Sequence, residues 1–185
     1  MNNLFRLAGS VTKSVPFISI LLIFIFVACS NDEEKVPESD PSIVFSMGSV
    51  EINEISRGFM LSVLASHKIS YYDTVYEKPK NLVAFKLRDV LELGYEINLD
   101  TIRNSTFTFL ALDGFQDSAS SHQANEPGGY IAFEDLDVEG LENWEPVAIE
   151  NNNNPAPFYV VWINEGQTPE DGYPWPYQLY AIDKD

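Results

Sequence analysis

Five turn-forming residues, Gly166, Pro169, Gly172, Pro174 and Pro176, separate two β-prone runs near the C-terminus, and they constrain the fold more than any other stretch. Residues 158–163 (FYVVWI) are aromatic and β-branched, the composition of a largely buried strand. Residues 177–182 (YQLYAI) alternate well enough for a second strand. Proline has no N–H to give to a sheet ladder, so the segment between the runs must stand outside the sheet as a loop. That loop carries Trp175 to the rim of the core the strands close. Two readings fit it. Its aromatics cap a sheet end by burial, or Tyr173, Trp175 and Tyr177 form the wall of a ligand or partner site.

Upstream, residues 43–45 and 50–52 read as short strands around Gly48, and residues 69–75 and 82–85 as further extended pieces. Residues 59–65 fit a strand or a helical turn, since periodicity does not separate the two for so short an apolar run. Leu87, Val90, Leu91 and Leu93 recur at helical spacing, so a helix is expected over 86–93 with Gly94 as its C-terminal stop. Residues 106–112 (TFTFLAL) alternate, and Asp113-Gly114 ends them with turn chemistry. Residues 118–126 are polar, Gly128-Gly129 lead into a strand at 130–133, and 143–155 with its four consecutive asparagines reads as a surface loop. Many strands with one or two short helices, not in βαβ alternation, define an α+β, mostly β class. Residues 43–185 suffice for one domain with a sizeable core.

The N-terminus has different chemistry. Residues 1–28 contain Arg6, Lys13 and no acid, then an apolar run from 15 to 28 that is short for a span of about 20 residues. That is the layout of an export signal peptide. It ends in Phe26-Val27-Ala28-Cys29, and Cys29 is the only cysteine. The ending resembles the lipobox of bacterial lipoproteins, with Phe26 where leucine is usual. The resemblance implies lipidation of Cys29, attachment to the membrane through that anchor, and an outer-membrane lipoprotein that faces the periplasm or is exposed on the cell surface. Residues 29–42 (CSNDEEKVPESDPS) are acidic and proline-containing and read as a disordered tether. Their Asp32-Glu33-Glu34 resembles the short acidic surface-export tract of some lipoproteins, and fits a merely solvating spacer equally well.

The whole chain has 11 Lys+Arg against 28 Asp+Glu, a net −17. Loss of the leader removes Arg6 and Lys13, which leaves 9 against 28, or −19. This balance excludes nucleic acid and charge-driven adhesion to anionic lipid, and favours cationic partners. With Cys29 acylated, no thiol remains for a disulfide or a metal ligand.

Signatures of common chemistries are missing. His67 and His122 lie far apart and neither has a second histidine at close spacing, whereas a zinc site needs three or four convergent ligands. Acid pairs such as Glu134/Asp135 and Asp135/Asp137 read as a solvated loop, so no metal centre is expected. The chain has no Gly-rich phosphate loop and no GxSxG, and Ser118, Ser120 and Ser121 near His122 lack an orienting pattern.

Set in order, KLRDVLELG (86–94), FTFLALDGFQDS (107–118), GGYIAFEDLD (128–137), PFYVVW (157–162) and YPWPYQLYAI (173–182) resemble the sulfite-oxidase-type molybdopterin-binding domain, over roughly residues 45–182. The resemblance is closest to short bacterial versions, some joined to or neighbouring c-type cytochromes. It implies a mostly β, α+β domain that cradles molybdopterin, and an accessory or atypical redox protein working with a basic c-type cytochrome. Catalytic members supply a cysteine thiolate to molybdenum from a loop upstream of the helix. Here that region is residues 69–74 (ISYYDT), where Asp73 stands nearest the ligand position and no cysteine occurs. A carboxylate is a harder donor than a thiolate. The resemblance therefore leaves two functions open: an oxidoreductase with Asp73 in the catalytic place, or a catalytically degenerate ligand- or protein-binding module. In either, Tyr72, Asp73, Asp113, Gly114, Trp162 and Trp175 are expected around one concave site, with Asp73 exposed there. Lys68, Lys78, Lys80, Lys86 and Arg88 are the candidates to hold the cofactor phosphate.

Overall fold

The computed structural model describes residues 40–147 and 153–185. The leader at 1–28, Cys29 and the tether through residue 39 lie outside the described residues. In chain order the elements are β1 (Ser42–Met47), β2 (Val50–Ser56), α1 (Arg57–Val63), β3 (Ser66–Asp73), β4 (Lys78–Lys86), α2 (Leu87–Tyr95), β5 (Thr106–Ala111), β6 (Gln116–Ser120), α3 (Ser121–Asn125), β7 (Gly129–Asp135), β8 (Tyr159–Trp162) and β9 (Leu179–Lys184). They build two sheets, one ordered β2-β1-β9-β5-β6 and the other β3-β4-β7-β8. Every pairing is antiparallel except β1 with β9. The class is α+β, mostly β.

The two sheets differ as their sequences differ. In the five-stranded sheet, β1 and β5 bury alternate residues, Ile43 and Phe45, then Phe107, Phe109 and Ala111, so one face meets the core. Gly48 and Ser49 join β1 to β2 with φ of 58° and 67°, the left-handed pair of a two-residue hairpin turn. In the four-stranded sheet, Leu82 to Phe85 of β4 and all of β8 are buried without alternation, because both faces are covered.

Helix α2 lies between the sheets, packing on β4 and β7 of one and on β2 of the other. Its buried positions, Leu87, Val90, Leu91, Gly94 and Tyr95, form a single apolar stripe at i, i+3, i+4, i+7 and i+8. The helix runs past the expected stop. Gly94 is interior to it, and Glu96 takes the left-handed C-cap with φ 54°. The glycine serves packing instead, since a Cβ there would lie 2.1 Å from the Phe45 ring. Residues 59–65 resolve as a helix for most of their length, because the Ser56 side chain caps Phe59 N–H at 3.2 Å. The polar stretch 118–126 holds the end of β6 and α3, the latter closed by a capping box between Ser120 and Gln123.

The C-terminal segment joins the sheets. Backbone bonds run from Gln178 N to Pro155 O, Leu179 N to Phe158 O and Val160 N to Pro176 O, all at 2.9–3.0 Å. The chain thus borders β8 of one sheet immediately before it becomes β9 of the other. Two indole N–H groups hold the intervening loop down, Trp162 to Pro174 O at 2.7 Å and Trp175 to Gln167 O at 3.1 Å.

Candidate functional site

Trp175 is the common wall of two clefts. One, of about 290 Å³, is lined by Val75, Asp113, Phe115, Asp117, Trp175 and Tyr177, with Pro169 and Pro176. The other, of about 270 Å³, lies against Tyr72, Thr74, Trp162 and Trp175 and the chain from Ile163 to Thr168. The six residues expected around one site are thus divided. Asp113 and Trp175 share the first cleft, whereas Tyr72, Trp162 and Trp175 share the second. Gly114 supplies the turn rather than a wall. Its φ of 90° lets Asp113 Oδ1 accept from Phe115 N–H at 2.9 Å, which sets Asp113 and Phe115 on the cleft rim.

Asp73 lines neither cleft. It is 0 % exposed, and four donors already occupy its two oxygens. Tyr71 Oη–H donates at 2.6 Å, Val75 N–H at 2.8 Å, Tyr76 N–H at 3.0 Å and Tyr159 Oη–H at 3.3 Å. A carboxylate offers about four lone-pair sites, so little is left for a further ligand. Burial raises the Asp73 carboxyl from its ordinary value, and the four donors offset only part of that. Burial, then the Asp73 charge, pushes Tyr71 and Tyr159 up, which keeps both hydroxyls as donors. Asp73 therefore closes the β3–β4 turn against β8. Tyr71 and Tyr159 in turn stand 6.0 and 6.3 Å from the Trp175 ring, so Asp73 lies one layer behind the clefts.

The candidate phosphate-holding cations are placed elsewhere. Lys80 is fully buried, with its Nζ 2.6 Å from Asp135, 3.1 Å from Glu145 and 3.3 Å from Asp137, and 4.8 Å from the centre of the Tyr76 ring. Lys78 pairs with Glu145, and Arg88 with Glu92 and Asp100 at 2.9 Å each. Lys86 and Arg88 line a separate cleft with Gly128, Gly129 and Tyr130. Among the described residues no Lys or Arg lines either Trp175 cleft. A pterin phosphate would meet Asp113 and Asp117 in one and Glu165 in the other. With Asp73 saturated as well, the residues present do not fit a molybdenum-bound pterin.

Other constellations are also committed to structure. The acids Asp135, Asp137 and Glu145 converge, but on Lys80 rather than on a vacant point, and among the described residues no group of His, Cys, Asp and Glu is arranged to hold a metal ion. A further depression, of about 730 Å³, includes Arg103, Ser120, Ser121 and His122. There the Ser120 hydroxyl caps α3, and the exposed His122 pairs with Glu126 at 2.8 Å.

Phe115 and Asp117 are absent from the sequence-based set, although the Asp113-Gly114 turn carried the needed information. A DG turn after an alternating strand predicts an immediate return strand, and β6 begins at Gln116. Thr74 was also passed over. Its hydroxyl is the one buried side-chain polar atom among the described residues left without a hydrogen-bond partner, and the residue borders the second cleft. Compared with known proteins, the chain matches no family model and no curated protein.

Proposed function

We propose that this chain is a lipid-anchored, envelope-facing binding module that keeps a sulfite-oxidase-type molybdopterin-binding fold without its cofactor chemistry, and that its ligand enters the clefts beside Trp175. The observation that carries the reading is the state of Asp73, buried and saturated by four donors where the resemblance expects a metal ligand. The lining supports a ligand class. Phe115, Trp175 and Tyr177 give three aromatic rings beside Asp113 and Asp117, neither of which has a cationic partner among the described residues. Aromatic faces and carboxylates together select an organic cation with an apolar body, such as an alkylammonium group.

Calorimetry with choline and with its neutral isostere 3,3-dimethyl-1-butanol tests this. Choline is expected to bind roughly tenfold more tightly, the scale of one desolvated cation–π contact. Asp117→Asn and Phe115→Ala, at exposed positions, are expected to weaken choline while leaving the melting temperature near that of the parent. Equal affinity for the two compounds overturns the ligand class. Stoichiometric molybdenum in protein purified from a molybdenum-replete host overturns the reading that the cofactor has been lost.

A further inference from the structure

The seven-residue α1, RGFMLSV, is built inside out. Only Arg57 and Met60 are buried, while Phe59 is 52 % exposed, Leu61 45 % and Val63 52 %. A surface helix normally turns its apolar stripe to the core and polar side chains to water. The outward residues of α1, Gly58, Phe59, Leu61, Ser62 and Val63, carry no charge at all in a chain this acidic. Phe59 and Val63, at i and i+4, share one exposed side of the helix, whereas Leu61 projects from the other side. An exposed apolar patch on an otherwise charged surface marks an interaction site.

The path of the chain says what covers it. Asp40, the first described residue, accepts from Gly58 N–H at 2.8 Å, and Arg57 N–H donates to Pro41 O at 2.7 Å. The polypeptide therefore enters the domain at the start of α1 and is fastened there. Eleven positions separate Asp40 from Cys29, a contour of at most about 40 Å. An anchored end this near raises the effective concentration of the bilayer at α1 to the millimolar range, so contacts that are individually weak suffice. Arg57 is occupied by Glu142 and, at 3.8 Å, by Asp40, so it offers no charge to headgroups and the contact is apolar.

We propose that α1 is a membrane-docking helix, which lays Phe59 and Val63 into the headgroup–acyl boundary of the bilayer that carries the Cys29 anchor. This rests on the lipid-anchor part of the reading above and is independent of the Trp175 clefts. A second copy of the chain is the less favoured occupant, because two domains that each carry 8 Lys+Arg against 23 Asp+Glu, a net −15, would have to be brought face to face.

The test uses full-length lipidated protein in phosphatidylcholine vesicles with dibrominated acyl chains. Phe59→Trp adds an exposed indole, whereas Trp144, Trp162 and Trp175 are at most 6 % exposed. Leu112→Trp, at an exposed position after β5, is the control. The added fluorescence at position 59 is expected to shift to the blue and be quenched by bromine, and that at 112 is not. If the protein floats with vesicles but position 59 is unquenched, or both positions are quenched alike, docking through α1 is overturned while the anchor stands. If the protein does not float, the anchor reading fails and the proposal with it. A concentration-dependent blue shift at 59 without vesicles, accompanied by dimer in sedimentation, assigns the face to a second copy and overturns membrane docking.

Discussion

Asp73 shows how a residue's chemistry depends on what surrounds it rather than on its type. The resemblance places Asp73 as an exposed carboxylate in a pocket, but the β3–β4 turn folds its own N–H groups onto the side chain and β8 closes over it. Removing the carboxylate strands two tyrosine hydroxyls and two backbone donors in the interior. Asp73→Ala is therefore expected to cost roughly 2–4 kcal/mol, since each buried unsatisfied donor costs about 1–3 before relaxation. The pH dependence has a definite sign. The folded pKa lies above the unfolded one, so the group's contribution is full below the unfolded value near 3.8 and is lost as pH rises through the folded value. Asp73→Asn holds the site neutral throughout. The stability difference between parent and Asp73→Asn in urea melts is expected to move in favour of the variant as pH rises above 4. A difference that is flat with pH would show that Asp73 titrates normally in the fold.

At the scale of elements, much was legible because the governing rules are local. The apolar stripe of α2, the alternation of β5 and the unbroken apolar run of β8 each follow from side-chain period and composition. What escaped was set by partners distant in sequence. Gly94 reads as a helix stop, and only the Phe45 ring, from a strand some fifty positions earlier, reveals it as a point of close approach. Replacing it with alanine gains up to about 1 kcal/mol of helix propensity. A methyl carbon 2.1–2.4 Å from three atoms of a fully buried ring costs more, so Gly94→Ala is expected to be destabilising by about 1–3 kcal/mol net in thermal or urea melts. Lys80 is a second case. The resemblance makes it a candidate to hold a cofactor phosphate, but its partners come from the end of β7 and the following loop, and bury it completely. Hydrogen bonds from Lys78 and then Lys80 hold the Glu145 carboxyl below its ordinary value, and, against its partial burial, hydrogen bonds from Asn81 and then Lys80 do the same for Asp137. Lys80→Met removes one partner and leaves the acids facing one another, at an expected cost of about 3–5 kcal/mol by chemical denaturation. The division of the aromatic region into two clefts was hidden for the same reason, since Trp175 is positioned by its bond to Gln167 O and by rings of β3 and β8.

For the molecule as a whole, charge and anchor make separable predictions. A chain of −17 net charge, or −19 once the proposed leader is removed, has a field that extends over a Debye length, about 30 Å at 0.01 M salt but only about 10 Å at 0.1 M. The basic c-type cytochrome that the resemblance implies would be gathered by that field. Its association is expected to weaken steeply between 10 and 200 mM salt, on the order of tenfold or more, and chiefly through the association rate. Affinity that stays flat across that range would mean that the acidity keeps the exported chain dispersed and recruits no partner. The proposed anchor is independent of this field. Cys29 is the only thiol available for acylation, and among the described residues no helix is long and apolar enough to span a bilayer. Cys29→Ser is therefore expected to move the protein from the membrane fraction to the envelope fluid. The weak apolar contact proposed for α1 cannot retain it once the high local concentration is lost. A Cys29→Ser protein that still sediments with membranes after a high-salt wash would show that something other than acylation holds it there, and the lipoprotein reading would be withdrawn.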